Sequence, residues 1–369
     1  MLIGDGWAEV DGLSARRRDR VTTYRVFRTL SRGDHLLGLF ADIERGGQRM
    51  DENYGGPVQG GWRTITWSRY EQQVVIADRE LNYVDIGAGG PPVVLLHGHG
   101  ATWQYWLDVI ALLSHRRRVV TLDLPGFGAS RAHPWRTVSM ARIVGVIGEL
   151  LDQLGIPECD LVGHSMGSIF AIEVAAADAR RVRTLTLAGG PALSILALFQ
   201  HPIRTAWRHP RLAIAVLGDM ITAGLHIPQS VLTRVARRRW LRKLAFGAYV
   251  ARPELLAADL SVQLMKGVGA PAYFHVPLKA RQYSPAPFES IKCPIMLVNA
   301  RHDTFVPAQD IDDFLTRMPH ARSHILDDAG HLVTVEYPVT FSKLLTEFTD
   351  GARSRSSGAE PVIPPAIGE

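Results

Sequence analysis

Cysteine is scarce in this 369-residue chain, which has only Cys159 and Cys293. Each one begins an apolar, strand-like run, so we interpret both as small core residues in a reducing compartment, not as a disulfide framework or a metal site. Long apolar runs are also missing, since no stretch approaches the roughly 18 apolar residues of a membrane-spanning helix. The N-terminus carries acidic residues where a signal peptide has a basic lead and an apolar run. Together these absences predict a cytoplasmic protein.

Acidic residues are absent from Met220 to Pro253, a segment that contains seven bases. The chain as a whole has a net charge of +5, so its basicity is concentrated in this segment. No groove-reading or base-stacking motif accompanies the charge, and we therefore expect no nucleic-acid partner. Three interpretations stay open for the bases here: a solvated helix face, contact with an anionic substrate group, or weak contact with a membrane surface. The residues concerned are Arg234, Arg237, Arg238, Arg239, Arg242 and Lys243.

Short apolar runs recur along the chain from Gln72 onward. QQVVI and LNYVDI flank the polar ADRE, which predicts a β-hairpin. The five runs that follow are almost continuously apolar, as in parallel strands buried on both faces: PVVLLHG, RVVTLD, CDLVGH, RTLTLAG and PIMLVNA. Helical periodicity lies between them, for example from Val138 to Leu154, where apolar residues recur at three and four. This alternation predicts an α/β fold with a doubly wound, mostly parallel sheet.

The alternation of strands and helices is interrupted once, between Pro191 and Phe288. This segment has helical patterns but no clear strand, as in ALSILALF, RLAIAVLGDMI and VLTRVARRRWLRKLAF. We predict a helical cap, or lid, at residues 191–288, inserted into a core of residues 71–190 and 289–349. Residues 1–70 are predicted to be an N-terminal extension with a helix around Val21 to Phe40 and a glycine-rich linker. Residues 350–369 are predicted to be a disordered tail.

The pentapeptide GHSMG places Ser165 between Gly163 and Gly167, directly after the predicted strand CDLVGH. A strand-to-helix turn this tight imposes unusual backbone angles, and glycines two residues on either side remove the side chains that would clash. The hydroxyl is then presented at a helix N-terminus, which favours developing negative charge. A helix cap is the alternative interpretation of Ser165. A nucleophile, unlike a cap, also explains the two glycines.

A serine nucleophile needs a base, and the base needs an orienting carboxylate. Asp303 in NARHDTFVP follows the strand PIMLVNA, and His331 in DDAGH follows SHIL, so both are predicted at the same edge of the sheet as Ser165. Asp327 and Asp328 compete with Asp303, but they lie in the loop of His331 and are better suited to fixing its turn. The glycine-rich turn HGHG can direct a backbone N–H at an oxyanion, together with the N–H of the residue after the nucleophile.

The motifs HGHG, DLPGFGAS, GHSMG, NARHDTFVP and AGH resemble, in type, order and spacing, those of the α/β-hydrolase superfamily. The resemblance is to its cap-bearing serine hydrolases, the esterase/lipase-like branch, and covers about Glu71 to Phe348. It implies that Ser165 is the nucleophile, that His331 is the general base and then acid, and that Asp303 holds the tautomer of His331. It also implies oxyanion donors at the backbone amides of Met166 and His99.

The resemblance implies a hydrolase that cleaves a carboxylic ester of a partly hydrophobic small molecule through an acyl-enzyme, with no metal or organic cofactor. Serine at position 165 argues against the dehalogenase and epoxide-hydrolase branches, which use a carboxylate nucleophile. Thioesters, amides and carbon–carbon bonds remain open, as does a ligand-binding protein with little turnover.

Three further residues are candidates for lining the substrate pocket: Trp103, Phe127 and His164. For the two aromatic residues, packing in the core is the alternative. His97 is expected to be a hydrogen-bonding strut for its loop, in preference to a metal ligand paired with His99, and Asp123 is expected to fix the DLPGFGAS turn.

Overall fold

The computed structural model describes Tyr54 and residues 61–130, 139–222, 227–270, 272, 275 and 279–356. The chain divides into two compact units, Met1–Gly47 and Gln48–Glu369, and every described residue belongs to the second. The helix predicted around residues 21–40 lies outside the described residues. Of the helices that are described, none is long and apolar enough to cross a membrane.

The described strands form one eight-stranded sheet in the order β1-β2-β4-β3-β5-β6-β7-β8. The pairs β1/β2 and β2/β4 are antiparallel, and the other neighbouring pairs are parallel. The predicted mostly parallel α/β sheet is thus confirmed. The strands are β1 Glu71–Ile76, β2 Arg79–Ile86, β3 Val93–Leu96, β4 Val119–Leu122, β5 Cys159–His164, β6 Val182–Ala188, β7 Ile295–Ala300 and β8 Arg322–Leu326.

Burial explains why the inner strands have no alternating pattern in the sequence. Every residue of β3, β4, β5 and β7 is buried, because helices cover both faces of the sheet. Both cysteines are free and buried in this core, Cys159 at the start of β5. The β1–β2 hairpin turns at Ala77 and Asp78, whose φ angles are 50° and 63°, so the predicted polar turn is shorter than ADRE.

Twelve α-helices are described, and six of them, α4 to α9, lie between β6 and β7. The described residues of this segment contain no strand. We call residues 191–288 the cap segment. The helices are α1 Leu107–Leu113, α2 Met140–Gln153, α3 Met166–Ala177, α4 Leu193–Gln200, α5 Pro202–Arg208, α6 Pro210–Thr222, α7 Gln229–Arg237, α8 Arg239–Phe246, α9 Ala258–Leu264, α10 Ala308–Arg317, α11 Val333–Glu336 and α12 Pro338–Ser356.

The basic run VLTRVARRRWLRKLAF forms two helices, α7 and α8, with an extended residue, Arg238, between them. The guanidinium of Arg242 folds back and donates to the carbonyl of Ala236, near the end of α7, where backbone carbonyls lack helical partners. It also donates to the carbonyls of Pro253 and Glu254. Arg242 is therefore buried, and the expectation that it belongs to an outward-facing basic surface is wrong. The other five bases of this group are exposed.

The two ends of the predicted core differ from the structure. The compact unit begins at Gln48 and not near residue 71, because Tyr54 and Trp62 are buried aromatic side chains within the stretch predicted to be an extension and linker. The predicted disordered tail is wrong for residues 350–356, which continue α12. Ala352 is buried and extends the buried stripe of Leu345 and Phe348 by another turn. Residues 357–369 lie outside the described part of the chain.

Candidate active site

Ser165 lies in the turn between β5 and α3, with φ 51° and ψ −116°. A residue with a side chain is strained in this region of backbone space, so the surrounding packing must hold it there. The packing requires both flanking glycines: a Cβ at Gly163 would lie 2.3 Å from the carbonyl oxygen of Gly167, and a Cβ at Gly167 would lie 2.3 Å from that of Leu96. The spacing of GHSMG is thus a steric requirement of this turn.

The three residues predicted to act together lie in one hydrogen-bonded chain. The Oγ of Ser165 is 2.9 Å from the Nε2 of His331, and the Nδ1 of His331 is 2.9 Å from the Oδ2 of Asp303. Since an ionised carboxylate only accepts, Nδ1 carries the proton and Nε2 is left to accept the hydroxyl proton of Ser165. The side chain of Asp303 is fully buried and that of His331 is 4% exposed. The competing residue Asp327 pairs with Arg301 at the surface.

Asp303 is itself held by its own loop. Its Oδ1 accepts hydrogen bonds from the backbone N–H groups of Phe305, at 2.7 Å, and Val306, at 3.0 Å. The turn after β7 therefore orients the carboxylate before any substrate is present, and leaves Oδ2 for the imidazole.

A buried carboxylate that the sequence analysis did not single out, Glu336, supports the loop of His331. One oxygen of Glu336 accepts from the N–H of Gly330 at 2.8 Å, and the other accepts from the N–H of Ala251 at 2.8 Å and from the hydroxyl of Tyr54. Burial raises the pKa of Glu336. This one side chain therefore joins the loop of His331 to the cap segment and to the stretch containing Tyr54. The only signal in the sequence is an acid within the apolar run LVTVEY.

His164, the residue before Ser165, supports His331 from the other side. Its Nε2–H donates to the backbone carbonyl of His331 at 3.1 Å, and its ring stacks on Tyr105 with centroids 4.2 Å apart. Burial, and to a lesser degree the neighbouring His331, holds the pKa of His164 well below its usual value, so the ring is neutral. His164 also lies at the cavity described below, where it was predicted.

The turns beside the site are fixed by buried polar groups. The Nε2 of His97 accepts from the N–H of Leu124 at 2.9 Å and its Nδ1 lies 2.8 Å from the carbonyl oxygen of Gly98, so neither nitrogen points at a metal site shared with His99. Burial lowers the pKa of His97 to about 4. Asp123 accepts from the N–H groups of Trp103 and Ala129, and burial raises its pKa to about 6.

A cavity of about 780 Å³ borders Ser165, His331, Met166 and His99. Most of its lining is apolar and comes from helices of the cap segment: Leu196, Phe199, Val216, Val235 and Phe246 are examples. Trp103 and Phe127 do not line this cavity, so their prediction as pocket residues is wrong. Both are in the core, where Trp103 packs against Trp67 and donates to Glu71, and Phe127 packs its ring against His97.

One wall of the cavity is polar. Asp219, on α6, accepts from the hydroxyl of Tyr249 at 2.6 Å, and its other oxygen is 3.3 Å from the Nδ1 of His99. The ring of Tyr249 stacks on Phe305, which in turn lies 4.8 Å from the ring of His331. Among the described residues that line the cavity, there is no Arg or Lys. Asp219 and Tyr249 were not predicted, because nothing in their local sequence relates them to the site. Phe305 was not predicted either, although it lies two residues after Asp303 in NARHDTFVP.

Residues 93–344 match the model of the alpha/beta hydrolase family. The match spans more than half of the chain, and the strand order and the turn at Ser165 agree with it, so the protein belongs to this family and is a hydrolase.

Two relatives of known name share 26% and 28% of their aligned residues with this chain. The chain is 26% identical over 278 residues to a 2-hydroxy-6-oxononadienedioate/2-hydroxy-6-oxononatrienedioate hydrolase of Pseudomonas putida. The aligned region covers 73% of this chain and 92% of that protein. It is 28% identical over 271 residues to the pimeloyl-[acyl-carrier protein] methyl ester esterase of Aeromonas hydrophila, covering 70% of this chain and 95% of the other. Among solved structures, the enol-lactonase of Burkholderia xenovorans LB400 superposes with a TM-score of 0.58 at 20% identity, over 76% of this chain and all of that one, and shares the fold.

Proposed function

We propose that this protein hydrolyses a carboxylic ester of a partly hydrophobic small molecule, with Ser165, His331 and Asp303 as its catalytic residues. The observation that carries the proposal is the hydrogen-bonded chain from Ser165 to His331 to Asp303, which borders an apolar cavity of about 780 Å³. A nucleophile, a base and the group that orients the base are thereby within proton-transfer reach of one another.

The reaction divides into acylation and deacylation. The Oγ of Ser165 attacks the ester carbonyl while its proton passes to the Nε2 of His331, and buried Asp303 stabilises the imidazolium that forms. The backbone amides of Met166, at the N-terminus of α3, and of His99 are the proposed donors to the oxyanion, each worth about 3 kcal/mol. His331 then protonates the leaving alcohol. Finally, His331 takes a proton from the water that attacks the acyl-enzyme, and returns it to the Oγ of Ser165 as the acid leaves.

The cavity indicates what kind of ester fits. Its volume is in the range of sites for small organic ligands, about 300–1,000 Å³, and its walls are mostly apolar. The carboxylate of Asp219, with no Arg or Lys beside it among the described lining residues, disfavours a substrate that carries a carboxylate into the cavity. We therefore favour an uncharged hydrophobic acyl group, enclosed beneath the cap segment acting as a lid.

Hydrolysis of a carbon–carbon bond is the second candidate, because the Pseudomonas putida relative is named for such a substrate and the same three residues can perform it. By its name that substrate is a dicarboxylate, which the wall at Asp219 disfavours. Comparing kcat/KM on a dicarboxylate dienoate of this type with that on neutral esters decides between the two. Faster turnover of the dienoate would reverse our preference.

A fluorophosphonate probe tests the nucleophile directly. We expect rapid labelling of the wild-type protein, none of Ser165→Ala, and wild-type labelling of Ser139→Ala, an exposed serine at the start of α2 that serves as the matched control. A panel of p-nitrophenyl esters of increasing chain length then measures turnover. If the wild type and Ser165→Ala hydrolyse every ester equally slowly, the protein is not an esterase. Labelling without turnover would favour a ligand-binding protein.

The cytoplasm remains our proposed compartment, and the two free, buried cysteines support it. Cell fractionation of the full-length protein tests this compartment. Recovery of the protein from an oxidising compartment, with both thiols intact, would contradict a cytoplasmic location.

A further inference from the structure

Large apolar side chains are concentrated on the outer surface of four helices of the cap segment, α5 to α8. Of the eleven large hydrophobic residues exposed in the described part of the chain, eight lie on these helices. Seven of the eight are between 64% and 89% exposed. Isolated apolar residues are normal on protein surfaces, whereas a concentration like this one marks an interaction site. The eight are Ile203, Trp207, Ile214, Leu217, Ile221, Val231, Trp240 and Leu244, and we call them the apolar face.

The apolar face adjoins the cavity that borders Ser165. Three of its members, Ile214, Val231 and Leu244, line the cavity while also being exposed to solvent. They come from three helices, α6, α7 and α8. A side chain can do both only where the cavity meets the protein surface, so these three residues mark its mouth.

The exposed charges on the helices that carry the apolar face, α5 to α8, are all positive. Residues 202–246 contain nine bases and one acid. The acid, Asp219, bonds to Tyr249 and His99 inside the cavity, and one base, Arg242, is buried. The remaining eight bases are exposed: Arg204, Arg208, Arg211, Arg234, Arg237, Arg238, Arg239 and Lys243. We call them the cap bases.

We propose that the apolar face and the cap bases dock this protein on the surface of an anionic lipid bilayer, with the mouth of the cavity facing the lipid. Indole, isoleucine and leucine side chains suit the boundary between headgroups and acyl chains, and exposed arginines and lysine suit lipid phosphates. An anionic bilayer complements both the apolar side chains and the positive charges, because its apolar acyl chains lie beneath negatively charged headgroups. A partner matched to the bases alone would leave the apolar face in water.

Docking in this orientation gives a second consequence, which rests on the proposed function. A hydrophobic ester dissolved in the bilayer would reach Ser165 through the mouth at Ile214, Val231 and Leu244 without crossing water. Binding to the bilayer does not depend on hydrolysis, so the two proposals can fail separately.

The first experiment measures binding alone, with full-length Ser165→Ala and vesicle flotation. We expect at least about tenfold tighter binding to phosphatidylcholine vesicles containing phosphatidylglycerol than to phosphatidylcholine alone, and weaker binding as salt is raised. Fluorophosphonate labelling of the wild-type protein in the same preparation reports separately on the nucleophile. Intact labelling without flotation would overturn docking but not hydrolysis, and flotation without labelling would overturn hydrolysis but not docking.

Matched variants assign the surface. Trp240→Ser with Leu244→Ser should weaken binding to the anionic vesicles about tenfold or more, and Val75→Ser with Ile325→Ser, which are exposed apolar residues outside the cap segment, should not. Arg237→Gln, Arg238→Gln and Arg239→Gln together should weaken binding about tenfold or more and reduce its salt dependence. The control triple is Arg69→Gln, Arg79→Gln and Arg322→Gln, three exposed bases elsewhere on the chain.

Three outcomes would overturn the proposal. Equal binding to neutral and anionic vesicles would remove the electrostatic part, and equal losses in test and control variants would place the contact elsewhere. Concentration-dependent self-association that Trp240→Ser with Leu244→Ser abolishes, in a protein that does not float with vesicles, would make the apolar face an interface between copies of this chain.

Discussion

The Oγ of Ser165 and the Nε2 of His331 lie 2.9 Å apart, although 166 positions separate the two residues in the chain. The sheet brings them together: β5 ends at His164 and β8 ends at Leu326, and the two strands are separated in the parallel arrangement by β6 and β7. The short contact is present without a substrate. Its geometry is therefore set by the fold, through the strained turn at Ser165 and the anchored loop of His331.

Replacing Asp303 by asparagine should lower kcat about 10⁴-fold with little change in KM. The amide would keep the size of the carboxylate but can donate to the Nδ1 of His331. That favours the tautomer in which Nε2 carries the proton and cannot accept from Ser165. Ester hydrolysis under saturating substrate measures the effect, and circular dichroism checks the fold.

Asp327→Asn is the control for this prediction, since Asp327 lies in the loop of His331 but pairs with Arg301 at the surface. It should keep wild-type kcat. If the two variants lost activity equally, Asp303 would not be the residue that orients His331.

The local signals in the sequence predicted most of the fold and that Ser165, Asp303 and His331 lie at one edge of the sheet. Buried parallel strands have to be apolar, so each run from PVVLLHG to PIMLVNA marked a strand, and the turn at Ser165 has to be flanked by glycines. Asp303 and His331 could be proposed because parallel strands end at one edge. Each of these predictions depends on geometry within a short segment of the chain, so the residues of that segment are enough to make it.

Features that depend on packing between distant segments could not be predicted. Trp103 and Phe127 follow strand ends, as pocket residues do, but turn into the core. Arg242 resembles its basic neighbours in sequence and is nonetheless buried, because the carbonyl of Ala236 near the end of α7 and those of Pro253 and Glu254 after α8 accept its hydrogen bonds. Apolar residues such as Trp207 predict a core and are exposed instead.

Glu336→Gln should destabilise the protein and slow the reaction. The amide can accept with only one of its two polar atoms, whereas the carboxylate accepts from Gly330, Ala251 and Tyr54. At least one buried donor would lose its partner, at a cost of about 1–3 kcal/mol in the free energy of unfolding. Because Gly330 precedes His331, we expect kcat to fall as well, by about tenfold. Chemical denaturation and ester hydrolysis measure the two effects.

Glu347→Gln removes an exposed carboxylate on α12 and serves as the control, with both quantities expected to stay at wild-type values. Equal unfolding free energies for Glu336→Gln and wild type would show that Glu336 does not anchor the loop.

Stability should depend on pH through Asp108, on α1. Burial raises the pKa of Asp108 to about 6, an effect that Arg63 partly opposes. In the unfolded chain the carboxyl titrates near 4. The native state therefore binds the proton more tightly, so this contribution to stability is present below pH 4 or so and is lost as the pH rises through about 6. Asp108→Asn, which stays neutral, should be more stable than wild type at about pH 8 by on the order of 1–3 kcal/mol, and nearly equal to it at about pH 4.

Urea unfolding at the two pH values tests this, with Asp313→Asn, an exposed aspartate on α10, as the control. A difference between Asp108→Asn and wild type that is the same at both pH values would contradict the prediction.

The cavity wall at Gly218 offers a test of where the acyl group binds. Gly218 lines the cavity from α6, and a Cβ there would meet no atom within 4 Å. Because Gly218 is also exposed, it lies at the opening of the cavity. Gly218→Leu should therefore narrow that opening and lower kcat/KM about tenfold for long-chain p-nitrophenyl esters, but leave the acetate unchanged. Gly145→Leu adds the same side chain to the exposed face of α2, also with no atom within 4 Å, and should leave the chain-length profile unchanged. If Gly218→Leu also keeps that profile, the acyl group does not pass the opening at Gly218.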